Sequence, residues 1–167
     1  PFRPFALSPS TDSRSERIIM QFDEPTLAQV VSDVCSTMLE LPITSGGQNL
    51  VLEDPLVAAV QITGEWQATV EVATTRPVVR IIAARMFALP QESLETADLH
   101  DALGEVANMI GGNLKGIANH ELDLSLPSVS EYESVVDTTA RTITVSMKCQ
   151  GHPVRIRLIE MSNAAIA

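Results

Sequence analysis

Between residues 101 and 108 the chain reads Asp-Ala-Leu-Gly-Glu-Val-Ala-Asn, which sets two carboxylates and a carboxamide at intervals of four and three. Successive residues of a helix advance by about 100°. With Leu103 taken as the core direction, Leu99, Val106, Ala107, Ile110, Leu114 and Ile117 fall within roughly 60° of it. Asp101, Glu105, Asn108 and Gly112 fall within about 40° of the opposite direction, forming one solvent-facing stripe. Glu105 and Asn108, three residues apart, can address a single ligand with their head groups. The plainer reading is a polar outer face that meets only water. Two features speak against it. Asn in a helix interior costs roughly 0.6 kcal/mol relative to Ala, and each glycine of Gly111-Gly112 costs about 1 kcal/mol. Gly112 also clears side-chain bulk from the stripe, so that another protein's backbone could approach. Alternatively the helix ends at these glycines, or Gly104 and Gly111, one heptad apart, permit close helix packing.

The elements that must position this stripe are readable from periodicity. Thr96–His120 is the longest helical pattern. An earlier helix is expected over Thr26–Leu41, capped by Thr26 or Asp23 and stopped by Pro42. Another spans Arg76–Leu89, with Pro77 in its first turn and Pro90 after it. Strands are expected at Gln48–Leu52, Val57–Thr63 and Trp66–Thr74, the last two joined by a Gly64-Glu65 turn. Leu122, Leu124 and Leu126 alternate as a short strand before Pro127. Arg141–Gln150 and Pro153–Glu160 pair as a hairpin about Gly151. Short turns between neighbouring strands make the sheet mostly antiparallel with helices packed on one face, an α+β domain. Residues 1–17 read as a flexible N-terminal arm and 18–167 as a single domain, with Ile18–Phe22 a possible edge segment. Leu27, Val31, Val34, Cys35 and Met38 align without gaps on Leu99, Leu103, Val106, Ala107 and Ile110, a faint internal repeat.

Composition narrows the function classes. The chain has 167 residues, 45% of them apolar, and a formal charge of −10. Such acidity disfavours nucleic acid and anionic membrane surfaces as partners, since both are met with clustered Lys and Arg. No apolar run approaches the ~20 residues of a membrane span. Cys35 and Cys149, without a cysteine framework or export signal, suit free buried thiols in a reducing cytoplasm. His100, His120 and His152 are isolated, so no metal site is expected. The glycines match no P-loop or dinucleotide fingerprint, and the serines no nucleophile elbow. Arg155 and Arg157 read as a solvated or dimer-facing surface.

Residues 105–115, Glu-Val-Ala-Asn-Met-Ile-Gly-Gly-Asn-Leu-Lys, closely resemble the signature of the CheX-like chemotaxis phosphatases, related to CheC and the FliY flagellar-switch phosphatase. Asp101, Glu105 and Asn108 match the spacing of that motif. Pro127 is the candidate for its downstream proline, at a separation shorter than usual. The Thr-Gly-Glu-Trp turn at 63–66 and the helix from Pro77 are similar to the family's layout. The resemblance implies a CheC/CheX-like fold and a phosphatase acting on the aspartyl phosphate of a CheY-like response-regulator receiver. It assigns Asn108 to orienting the attacking water and Glu105 to the receiver's active-site lysine; Asp101, one turn before Glu105, is expected to tune the site or contact the partner, and the bare Gly112 to meet the partner's backbone. No cofactor belongs to the chain itself; Mg2+ is expected on the receiver. A homodimer formed through the sheets is also implied. Some relatives carry a second Glu/Asn helix, but the matching positions here are Asp33 and Ser36, and serine cannot present a carboxamide. The competing reading is a non-catalytic receiver-binding or flagellar-switch-like module. A sensor with a small-ligand pocket between sheet and helices is a third.

Overall fold

The computed structural model describes residues 22–48, 50–135 and 139–161; the expected arm lies outside these residues, as does most of the Ile18–Phe22 segment. Among the described residues seven strands form one sheet: β1 Ile43–Ser45, β2 Pro55–Gly64, β3 Ala68–Thr75, β4 Leu122–Leu124, β5 Ser128–Ser130, β6 Arg141–Cys149 and β7 His152–Glu160. Their order is β1-β6-β7-β3-β2-β4, with β5 also beside β2, and every pairing is antiparallel. Alternation explains the register: Val70 of β3 sits between Val60 of β2 and Leu158 of β7, and all three point into the core. The β6–β7 hairpin turns on Gln150 and Gly151, both at positive φ (48° and 83°), the backbone pattern that matches strand twist in a two-residue loop.

Three helices, α1 Glu24–Asp33, α2 Arg76–Phe87 and α3 Thr96–Ala118, cover one face of this sheet. Pro77 stands in the first turn of α2, where a missing N–H costs nothing, and Ala88 ends it in the left-handed region. Asp23 caps α1, accepting from the Thr26 amide at 2.9 Å; of the two candidate caps, the carboxylate takes the role. The helix expected through Leu41 stops being α-helical at Asp33. A π-helical turn, Val34–Met38, follows, and the hydroxyls of Ser36 and Thr37 both donate to the Asp33 carbonyl. Hydroxyls that compete for a backbone acceptor in this way loosen the ladder.

One strand assignment and one surface assignment need correction. Gln48–Leu52 is not a strand in its described residues; instead the Leu50 carbonyl accepts from the Arg155 guanidinium. Ile43–Ser45 pairs with β6 in its place. Arg155 and Arg157 are not a solvated row either. Glu71, on the sheet face away from the helices, is 2% exposed. It accepts from Arg157 Nε at 2.9 Å and from the Ser134 amide at 3.1 Å, while Arg155 Nη1 meets both oxygens of Glu133 at 2.9 and 3.0 Å. The Glu131–Val135 stretch thus folds over the sheet, and burial of these charges is tolerated because each finds a partner.

Between sheet and helices, Val31, Cys35, Val72, Val106, Ile110 and Cys149 line an apolar cavity of about 20 Å³. That is room for little more than one water, which argues against a small-ligand pocket there. Both thiols are free, and burial pushes Cys35 up to about 11. No helix among the described residues is long and apolar enough to cross a membrane.

Candidate functional site

The site is built on α3. At its start the Glu95 amide donates to Asp98 Oδ2 at 2.8 Å. At its end Asn119 adopts φ 51°, and His120 Nδ1 lies 2.7 Å from Glu65 Oε2 in the β2–β3 turn. Leu99, Leu103, Val106, Ala107, Ile110 and Leu114 are buried against the sheet and the other helices. That buried stripe fixes the rotation of the rod, and the rotation decides what faces outward.

Asp101, Glu105 and Gly112 are exposed, as the helical wheel requires, and Asn108 is half-buried. The carboxylates of Asp101 and Glu105 and the carboxamide of Asn108 make no hydrogen bond or ion pair among the described residues. Asn113, by contrast, returns its amide to the Met109 carbonyl at 2.8 Å, the ordinary way a helix uses such a side chain. The helix does not end at the paired glycines; it continues to Ala118.

The other glycines serve close packing, but of an extended segment rather than of a helix. A Cβ at Gly111 would lie 3.0 Å from Val60 Cγ2 and 3.2 Å from Leu124 Cδ2. One at Gly104 would lie 3.2 Å from Cβ and Cγ of Pro127. The chain from Leu124 to Pro127 therefore runs along this flank of α3, antiparallel to it. Asn108 stands on the same flank between the two glycines, which is why it is less exposed than Glu105. A Cβ at Gly112 or Gly116 would meet nothing within 4 Å, so the outer stripe beyond Asn108 is bare backbone.

A family model, the chemotaxis phosphatase CheX, matches residues 56–152, more than half of the chain. The chain belongs to the CheX family. No curated protein sequence matches it. Among solved structures, the fold is similar to the chemotaxis protein CheX of Vibrio vulnificus at 15% identity (TM-score 0.63, covering 92% of this chain and 100% of that one). It is also similar to the CheX–CheY–BeF3–Mg2+ complex of Borrelia burgdorferi at 14% identity (TM-score 0.67, 84% and 99%). The FliM middle domain of Helicobacter pylori shares the fold more loosely, at 9% identity (TM-score 0.54, 92% and 93%).

Within this CheX chain, the positions matching a second Glu/Asn helix hold no comparable set. Asp33 is exposed and accepts from Gln29 at 2.8 Å, and Ser36 is turned onto the Asp33 carbonyl by the π-helical turn. Sequence reasoning missed Gly116 and misread Leu126. The Leu122/Leu124/Leu126 alternation puts all three on one face, but β4 stops at Leu124. There the Ser125 amide donates to the Gln61 carbonyl, and Ser125 Oγ, in place of a backbone carbonyl, accepts from the Gln61 amide, both at 2.9 Å. The ladder ends on that hydroxyl, and Leu126 stands 90% exposed.

Proposed function

We propose that this CheX chain hydrolyses the aspartyl phosphate of a CheY-like receiver domain, with Asn108 and Glu105 as the working pair. The observation that supports it best is their pairing: a carboxylate and a carboxamide one turn apart, facing outward from a helix held from behind, and neither engaged with another of the described residues. Side chains left without partners on a rigid support are available to enter a neighbour's pocket.

In this reading the Asn108 carboxamide oxygen accepts a hydrogen bond from a water and aims it in line with phosphorus. The water oxygen bonds to phosphorus as the bond to the receiver's aspartate oxygen breaks. The products are the free carboxylate and inorganic phosphate, which keeps the water's oxygen and both of its protons. An uncharged amide can hold this water without repelling the phosphoryl group, and phosphoryl transfer is catalysed mainly by such positioning. The Glu105 carboxylate pairs with the receiver's lysine ammonium. Asp101 contacts the partner, and bare Gly112 admits its backbone. Mg2+ comes with the receiver as part of the substrate, and the reaction takes place in the cytoplasm.

The test is to incubate the chain with the phosphorylated receivers of its host and follow phosphate release. Accelerated decay of at least one receiver is expected. Binding to receivers with no acceleration of any would leave the non-catalytic module as the correct reading.

We also propose a homodimer joined through the sheets. β1 accompanies β6 only over Met147–Cys149, so among the described strands Arg141–Val145 is an edge that could take a further strand. Sedimentation velocity at micromolar concentration should give twice the chain mass; a monomer would refute the dimer without touching the chemistry.

A further inference from the structure

Receptive groups on α3 explain how phosphate and lysine could be met, but charge and one amide give little binding energy in water. A second kind of contact is needed beside them, and the Leu124–Pro127 segment supplies it. Leu124 abuts Gly111 and Pro127 abuts Gly104. Seven helical residues rise about 10.5 Å, and three extended residues span about the same length. Leu126 is therefore held opposite the turn that carries Glu105 and Asn108. Its backbone is pinned on both sides: Ser125 is bonded to both the amide and the carbonyl of Gln61 and donates to the Leu126 carbonyl at 2.9 Å, and Pro127 seats on Gly104. The side chain is nevertheless 90% exposed. Of the other exposed apolar groups, Tyr132 and Val135 lie in the stretch over the far sheet face, Phe87 and Leu89 at the end of α2, and Ile117 at the far end of α3, about three turns from Glu105.

Resting on the reading that a receiver docks on α3, we propose that Leu126 is the apolar anchor of that docking surface, covered by the receiver when its phosphorylated pocket meets Glu105 and Asn108. A folded domain seated on those two side chains cannot leave Leu126 in water, because the segment bearing it forms the flank of the same helix. Its backbone is already fixed, so covering the leucine costs only the rotamer freedom of one side chain and no ordering of the segment. Complete burial of such a side chain corresponds to a change in affinity of about tenfold or more.

The experiment uses the full chain and the receiver found by the decay screen, loaded with beryllium fluoride and Mg2+, with affinity read by calorimetry. Leu126→Ser should weaken binding about tenfold, and in turnover it should raise KM while kcat changes by less than about twofold. Leu126→Met should bind within about threefold of wild type, and the distant exposed Val51→Ser should bind as wild type does. Circular dichroism should show both Leu126 variants folded, as expected for a side chain buried by nothing; Leu126→Gln repeats the test should Leu126→Ser be unfolded. Wild type active and Leu126→Ser binding equally well would overturn the anchor alone. Wild type with no effect on any receiver would overturn the parent reading, and the anchor with it.

Discussion

At the scale of single residues, side chains that serve the fold separate cleanly from those that await a partner. Asn113 and Asn108 are the same residue type in one helix, yet Asn113 is bonded to its own backbone and the Asn108 carboxamide has no partner among the described residues. Glu71 and Glu105 differ in the same way: one is locked to Arg157 and Ser134, the other is exposed and has no partner among the described residues. Replacing Glu105 by Gln should therefore leave thermal stability unchanged while raising KM for the phosphorylated receiver several-fold. Thermal melts and initial-rate kinetics check the two halves separately. The cysteines make the opposite prediction. With Cys35 held near 11 and Cys149 raised by the same burial, neither thiol is ionised at pH 8, and the thiolate is the reactive form. A disulfide reagent should react slowly with native protein at that pH and should titrate two thiols per chain once urea unfolds it.

At the scale of elements, α3 is a rod whose two polar flanks have different neighbours. Its glycines give a direct test. Gly112→Ala fills open space and gains helix propensity of about 1 kcal/mol, worth roughly 2–4 °C in Tm. Gly111→Ala should forgo that gain, because its Cβ would lie 3.0 Å from Val60 Cγ2, inside normal contact. Melting curves of the two variants should separate in that order. The hydrophobic period of Thr96–Ala118 made this helix and its outer stripe legible in the sequence, since burial of Leu103 and Ile110 admits only one rotation. What the period could not convey was the chain packed on the flank: nothing in a wheel diagram tells that Gly104 receives Pro127, or that Asn108 is thereby half-covered. The same limit hid the π-helical turn after Asp33 and the outward swing of Leu126. Both arise where a hydroxyl, from Thr37 or Ser125, takes over a backbone hydrogen bond, and hydroxyls leave no mark on apolar periodicity.

At the scale of the whole molecule, an antiparallel sheet has helices on one face and Glu131–Val135 over part of the other. Strand alternation gave the inner face correctly but not the cover on the outer one, because charged residues that pair across strands and loops look in sequence like a solvated row. The end of the interior strand β7 carries a pH signature. Glu160 is 3% exposed and pairs with Arg141 at 2.7 Å, yet burial outweighs the arginine and raises its carboxyl above the ordinary value. A folded pKa above the unfolded one means the native state holds this proton more tightly. The group's contribution to stability is thus fullest below the usual carboxylate range and is lost as pH rises through the folded value. Urea titrations across that window should show wild type losing stability relative to Glu160→Gln as pH rises; a constant difference would refute the assignment.

The central claim is that Asn108 positions the water for hydrolysis. It is tested most directly by comparing wild type with Asn108→Ala on the same phosphorylated receiver, with binding measured in parallel on the beryllium fluoride form. The catalysed rate should fall about a hundredfold or more, the usual cost of deleting one well-placed polar group, while affinity changes by less than about threefold. A folded Asn108→Ala chain that releases phosphate as fast as wild type would contradict it.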